Sequence, residues 1–298
     1  MGKQTKTSQR SPARPLVAVT SSGFFGFFAH AGFLQALEDL GLEPDAYAGS
    51  SSGALVAAFA AAGVSAREML HGFTRLRRED FWDPPRGASL LRHLLGLFRK
   101  RTGYLEGLAF QRLLERDLPA AQFQDCPKPC LVSTLDLVSN QRLILDSGPL
   151  ARAVVASGAV PMLFSAVPHQ GGLLVDGGMV DKAPVLPACS RWKPGALVVH
   201  LLPSSSLEKP LPALLARSLA PLRLQARAID AARQQAYQDQ VAQVRAQGVE
   251  VREVIAAGLP RLGPKRLQEG PRAFEQARVA ARKVLAAWMG LRDTDPGP

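Results

Sequence analysis

The sequence predicts an α/β fold, a mostly parallel central sheet covered by helices on both faces. Three observations carry that prediction. Strand-like and helix-like segments alternate through the first 63 residues. The strand-like segments are short apolar runs, as in sheets buried on both sides. The chain of 298 residues, 47% hydrophobic and 20% charged, has the length and composition to bury a substantial core.

Taken in order, Leu16–Thr20 (LVAVT) is an apolar run stopping at Ser-Ser-Gly, a buried strand and its turn. Residues 28–40 place Phe33, Leu34, Leu37 and Leu40 at helical spacing and end before Gly41. A brief strand at 46–48 runs into Gly49-Ser50-Ser51-Ser52-Gly53, followed by an apolar helix over 54–62. Ser65 can cap a helix reaching about Arg77, and Pro84-Pro85 then breaks regular structure. Residues 89–101 (SLLRHLLGLFRKR) read as a further helix. Strands are expected at 129–135, 142–146, 173–176, 196–202 and 249–255. Helices are expected at 150–156, across about 211–246 and over 272–289. No internal repeat is evident. One domain is expected over 15–290, with a disordered basic tail at 1–14 and a flexible tail at 291–298.

The net charge of +11 favours anionic partners, either nucleic acid or a phospholipid surface. No nucleic-acid motif is present, and the 6% aromatic content argues against base-stacking platforms, so no nucleic-acid partner is expected. Cys126, Cys130 and Cys189 are too few for a disulfide framework, and the three-residue gap in CPKPC is neither a redox nor a zinc spacing. Reduced thiols are expected. Residues 1–14 lack the apolar core of a secretory signal, and Lys6 stands where a myristoylation pattern needs Ser or Thr. No run approaches the ~20 apolar residues of a spanning helix. The expected location is cytoplasmic, with peripheral attachment to an anionic membrane surface.

Gly49-Ser50-Ser51-Ser52-Gly53 fits G-x-S-x-G. A serine that attacks a carbonyl needs a sharp strand-to-helix turn to expose its hydroxyl, and flanking glycines relieve the crowding there. Alone the pentapeptide is a weak signal. Its place between a strand and an apolar helix is what the chemistry demands. A second glycine-bearing loop, 21–26 (SSGFFG), ends the first strand just before a helix. Exposed N–H groups of Gly23 and Phe24, with that of Ser52, can hold the oxyanion of acyl transfer. Phosphate binding is the rival reading of such a loop. It ranks lower because neither G-x-G-x-x-G nor a P-loop lysine is present.

The base is the remaining question. Among the histidines only His200 follows the plausible acids, and ALVVHLLP reads as a buried strand with a structural histidine. The alternative is a carboxylate, Asp176, which ends a strand before Gly177 and Gly178. Asp-Gly-Gly alone is usually a turn. With the two glycine loops it completes an ordered set of three, and the chain then resembles the patatin-like phospholipase family. That family's pattern is a glycine-rich oxyanion loop, then G-x-S-x-G, then D-G-[AG]. HAGFLQALEDLGL, SGAVPMLFSAV and DGGMVDKAPV extend the resemblance from about Leu16 to Trp288. It implies a three-layer sandwich and ester hydrolysis by a Ser–Asp dyad, with Ser51 as nucleophile and Asp176 as proton acceptor. Three departures stand out. Ser21 replaces a glycine, Phe25 replaces a Lys or Arg as in the animal triacylglycerol-lipase branch, and one extra residue lies between Gly26 and His30.

A lid or membrane-contact segment is expected at 84–104. Leu90, Leu91, Leu94, Leu95 and Phe98 share one helical face, beside Arg92, Arg99, Lys100 and Arg101. That pattern suits an anionic lipid interface and equally a surface helix packed on a core. No metal cluster is visible, so neither a cofactor nor calcium is expected. The expected function is hydrolysis of acyl-lipid esters, of phospholipase A or lysophospholipase type. A neutral acylglycerol lipase or acyltransferase, and a non-catalytic lipid-binding protein of the same fold, are the alternatives.

Overall fold

Alternation along single strands decides how the sheet is covered. In β1 (Leu16–Thr20) Val17 and Val19 face one apolar cluster while Ala18 faces another. In β9 (Ala196–Leu201) Leu197, Val199 and Leu201 share the face of Val17, and Val198 takes the opposite one. Both faces are apolar, so both need a layer of helices. The computed structural model describes residues 14–84, 102–204, 207 and 221–291.

The remaining strands are β2 (Ala46–Ser50), β3 (Gly103–Leu105), β4 (Cys130–Asp136), β5 (Gln141–Leu145), β6 (Met162–Phe164), β7 (Val167–His169), β8 (Gly172–Asp176) and β10 (Glu250–Ile255). The main sheet runs β10-β9-β1-β2-β4-β8-β7, with β5 also on β4, and β3 pairs with β6 separately. From β10 to β4 every pairing is parallel, while β5, β8 and β7 add antiparallel pairings at the other side. One face carries α1 (Phe27–Asp39), α2 (Ser52–Ala61), α3 (Ala66–Thr74), α6 (Leu150–Ser157) and α9 (Gly270–Trp288). The other carries α7 (Val185–Trp192) and α8 (Pro221–Ala246). The α/β expectation holds, with parallel pairing through the sheet's centre.

Several segments depart from the expected layout. The helix begun at Ser65, with a full Ser65–Glu68 capping box, ends at Thr74, and α4 (Arg78–Phe81) is separate. Leu76 and Phe81 both reach apolar surroundings; five residues apart, they would lie on different faces of one continuous helix. The helix α5 (Leu108–Asp117) and the helix α7 are amphipathic but short, ten and eight residues, and were not expected. The strands β3, β6 and β7 are three residues each, too short for any periodicity to register. All three cysteines are free thiols.

The contact between α1 and α9 depends on a missing side chain. A Cβ on Gly32 of α1 would lie 2.0 Å from the Phe274 carbonyl oxygen of α9. Those are two backbones, and neither can yield as a flexible side chain would. Gly32→Ala is expected to destabilise the protein by about 1–3 kcal/mol in urea unfolding; an unchanged midpoint would mean the two helices do not pack this closely.

Candidate active site

Ser51 stands on the turn between β2 and α2 with φ 55° and ψ −122°, a conformation few non-glycine residues adopt. The flanking glycines are sterically required. A Cβ on Gly49 would meet the Gly53 carbonyl oxygen at 2.4 Å, and one on Gly53 would meet the Thr20 carbonyl oxygen at 2.2 Å. The turn is then tied down. The Ser51 N–H donates to Ser157 Oγ at 2.8 Å, and Ser157 Oγ donates to the Ser133 carbonyl at 2.7 Å. Thr20 Oγ1 donates to the Gly53 carbonyl at 2.8 Å, joining the turn to β1.

Asp176 arrives by strand register. β5 occupies one edge of β4, so β2 and β8 share the other. Ser50 at the end of β2 lies opposite Ser133, and Asp176 at the end of β8 lies opposite Thr134, the next residue along. The two strands therefore meet end to end. Only glycine can follow: a Cβ on Gly177 would sit 1.9 Å from the Ser133 carbonyl oxygen, and one on Gly178 would sit 2.6 Å from Ser22 Cβ. Ser51 Oγ donates to Asp176 Oδ2 at 2.7 Å, and the Gly178 N–H donates to Oδ1 at 2.6 Å. One carboxylate oxygen is anchored and the other faces the serine.

Burial dominates the carboxyl's electrostatics. Asp176 is 5% exposed, and desolvation raises its pKa from the ordinary 3.8 to about 6. The hydrogen bonds from Ser51 and Gly178 and the positive charge of Arg233 pull the other way and do not cancel it. Arg233, on α8, donates to Ser22 Oγ and pairs with Asp230 at 3.1 Å. Behind the acid loop lies Asp181, wholly buried, which accepts from Ser133 Oγ at 2.7 Å and Gln240 Nε2 at 2.9 Å and pairs with Arg142 at 2.6 Å.

The loop after β1 borders the same site. Gly23 and Phe24 line one cavity together with Ser51 and Ser52. Among the described residues, no hydrogen-bond acceptor takes up the N–H groups of Gly23, Phe24 and Ser52. Free amides beside a serine hydroxyl can stabilise a developing oxyanion. The cavity measures about 480 Å³, and Leu55, Phe59, Phe73, Leu114 and Phe164 give it an apolar wall. Phe25, with φ 55°, turns into that wall, and Phe24 is largely exposed at its rim. An apolar cleft ending at a hydroxyl–carboxylate pair is suited to an ester carrying a long apolar chain.

His200 is fully buried in β9, as its apolar surroundings suggest, and it contacts His30 of α1, not Ser51. Leu91, Leu94, Phe98, Arg99 and Lys100, expected at a membrane contact, lie outside the described residues. Ser157, Ser133 and Arg233 were not anticipated. Ser157 opens the SGAVPMLFSAV stretch of the family resemblance, but nothing local to it, to Ser133 or to Arg233 says which partner each meets, and only the folded chain brings them to the site. Among the described residues, no helix is long and apolar enough to cross a membrane.

A family model described as patatin-like phospholipase matches residues 18–189. An uncharacterised NTE family protein of Mycobacterium tuberculosis is 31% identical over 181 residues, 59% of this chain and 46% of its own length. Lysophospholipase NTE1 of Mycosarcoma maydis is 31% identical over 159 residues, 53% of this chain and 8% of its own. The chain thus spans less than half the length of these curated relatives. Among solved structures, VipD from Legionella pneumophila aligns with a TM-score of 0.48 and 13% identity, covering 93% of this chain and 67% of that one.

The raised pKa of Asp176 has a stability signature. Folding favours the protonated carboxyl, so this contribution is present below the unfolded value and is lost as pH rises through about 6. Asp176→Asn removes that loss. From about pH 4 to about pH 8, the wild type is expected to lose about 2 kcal/mol of urea-unfolding stability relative to Asp176→Asn. A difference independent of pH would contradict the burial of a titrating carboxyl.

Proposed function

The chain belongs to the patatin-like phospholipase family, and on that premise we propose that it hydrolyses acyl-lipid esters, as a phospholipase A or lysophospholipase, through an acyl-enzyme on Ser51. One observation carries the reading, the 2.7 Å hydrogen bond from Ser51 Oγ to Asp176 Oδ2 at the end of an apolar cavity. Residues 15–290 act as one hydrolase domain in this account.

The acyl chain lies in the cavity with its carbonyl carbon at Ser51 Oγ. As Oγ bonds to that carbon, its proton passes to Asp176 Oδ2, and the carbonyl oxygen takes the negative charge. The N–H groups of Gly23, Phe24 and Ser52 receive the charge, aided by the N-terminus of α2. When the ester C–O bond breaks, protonated Asp176 returns its proton to the departing alkoxide. Water then attacks the acyl-serine and gives one proton to Asp176; as the acyl–Oγ bond breaks, Asp176 passes that proton to Oγ, freeing the fatty acid and the Ser51 hydroxyl. Asp176 serves as base because burial lifts its pKa to about 6, where the ionised form still prevails at neutral pH. A carboxylate in water would be too weak a base for this step. The Gly178 N–H keeps Oδ1 occupied, so Oδ2 is the atom that receives the proton.

Two further observations bear on the substrate. The relative from Mycosarcoma maydis is by name a lysophospholipase. The net charge of +11 suits a protein that works peripherally on an anionic phospholipid surface. Phe25, where the family pattern carries a basic residue, and the GFFG loop it belongs to favour a second reading, a neutral acylglycerol lipase or acyltransferase.

A fluorophosphonate probe is expected to label the wild type and to leave Ser51→Ala unlabelled. Ser51→Ala and Asp176→Asn are each expected to lose at least about 10³-fold in kcat on an ester. Full turnover in either variant would end the hydrolase reading. Lysophospholipid, diacyl phospholipid and triacylglycerol assayed side by side separate the readings: a preference for triacylglycerol selects the second. In wild type, kcat/KM is expected to fall as pH drops below about 6, where Asp176 gains a proton; a rate unchanged down to about pH 4 would exclude Asp176 as base.

A further inference from the structure

Two buried imidazoles sit directly behind the loop that borders Ser51. His30, in the first half of α1, and His200, in β9, are both fully buried, with their Nδ1 atoms 2.8 Å apart. His30 Nε2 lies 2.8 Å from the Ser21 carbonyl oxygen. A carbonyl can only accept, so His30 Nε2 carries the proton. Burial holds His30 far below its ordinary pKa, at about 3, and His200 well below its own, so both rings are neutral. A neutral ring has one N–H, which leaves His30 Nδ1 as an acceptor and makes His200 Nδ1 its donor. His200 Nε2 is then a bare lone pair, and it is buried with no partner. Phe33 stacks on the same ring, with centroids 4.9 Å apart and planes 5° from parallel. The proton order along the chain His200–His30–Ser21 is therefore set by chemistry alone.

This chain ends on the residue from which the glycine loop departs. Ser21 is held through each of its polar groups. Its N–H donates to the His200 carbonyl at 3.1 Å, its Oγ accepts from the Leu202 N–H at 2.9 Å, and its carbonyl accepts from His30. Ser22 is held next, by its N–H to the Lys182 carbonyl at 2.7 Å and by Arg233 on its hydroxyl. The following two residues, Gly23 and Phe24, are the first whose N–H groups have no acceptor among the described residues.

We infer that His30 and His200 are positioning residues for acyl transfer, holding the Ser21 carbonyl so that the Gly23 and Phe24 N–H groups stay turned toward Ser51. The inference rests on the hydrolase reading above. A polar chain of two imidazoles in an apolar layer is expensive to bury, and a leucine or phenylalanine pair would pack there more simply. What the imidazoles add is a directed donor on one carbonyl, two residues before the oxyanion amides. The extra residue between Gly26 and His30 is compatible with this, because His30 acts backward on Ser21 and not on the loop's far end. The serine at position 21 also finds a use, since its hydroxyl takes the Leu202 N–H, which no glycine could do.

The test uses the full chain with His30→Leu and His30→Gln. Glutamine places an amide N–H near the position of the histidine Nε2 and keeps the donor to Ser21; leucine does not. Provided His30→Leu is folded by thermal melting, its kcat on a soluble ester is expected to fall about 10²-fold with KM changed by less than about threefold. His30→Gln is expected to regain most of that loss. A folded His30→Leu turning over at the wild-type rate overturns the inference. So does a loss that glutamine leaves unrelieved, which would signal packing alone. Should His30→Leu not fold, nitrogen-15 imidazole spectra of the wild type decide the matter. They are expected to show His30 protonated at Nε2 and His200 at Nδ1; the opposite tautomers, or a charged ring at neutral pH, overturn the inference. A wild type without esterase turnover is a different failure, that of the hydrolase reading, and the tautomer measurement is independent of it.

Discussion

The site depends on two strands ending against each other along one edge of β4. Because β2 runs parallel to β4 and β8 runs antiparallel, their C-terminal ends converge at the adjacent residues Ser133 and Thr134. That register delivers a serine and an aspartate, 125 positions apart in the chain, to a single hydrogen bond. A slip of one residue in either strand would turn its side chains to the opposite face and separate the pair. The parallel sheet, the two apolar faces and the helices upon them hold that register in place.

Convergence this tight forbids side chains at several points, and the chain answers with glycine. Gly49 and Gly53 lie against each other or against the end of β1, and Gly177 lies on the Ser133 carbonyl. Against the favourable contacts stand two unfavourable ones, the positive φ of Ser51 and the burial of the Asp176 carboxyl. The first is of the order of 1–3 kcal/mol. The second is visible in the direction of the Asp176 pKa, where desolvation outweighs two hydrogen bonds and a nearby arginine. Both run against stability, and both fit the proposed reaction: one exposes a hydroxyl, the other makes a carboxylate a better base. Such local costs are carried by packing elsewhere in the fold.

Much of this was legible in the sequence because short-range rules governed it. Strand, turn and helix follow one another within a few residues at 46–62, and the glycines of G-x-S-x-G and D-G-G mark close approach wherever they occur. The apolar runs of β1, β2 and β9 marked strands of a sheet buried on both faces. What was not legible depends on distance. Ser157 holds the Ser51 N–H, Arg233 holds Ser22, and His200 reaches His30 across 170 positions, and nothing local to these residues says which distant partner each meets. The ten-residue α5 and the three-residue strands β3 and β6 escaped notice for a different reason, since each offers few residues in which a period can register. The early end of α3 is decided by packing, as Leu76 and Phe81 both turn to apolar surroundings.

On the proposed reading, the free amides of Gly23 and Phe24, the hydroxyl of Ser51 and the carboxylate of Asp176 act together through a covalent acyl-serine. Rapid quenching of the wild type during turnover of a lysophospholipid, followed by peptide mapping by mass, tests that claim most directly. The account predicts a peptide containing Ser51 heavier by one acyl group, accumulating before free fatty acid reaches its steady rate. Hydrolysis at a normal rate with no acyl group ever on Ser51, or with the acyl group on another residue, would contradict it.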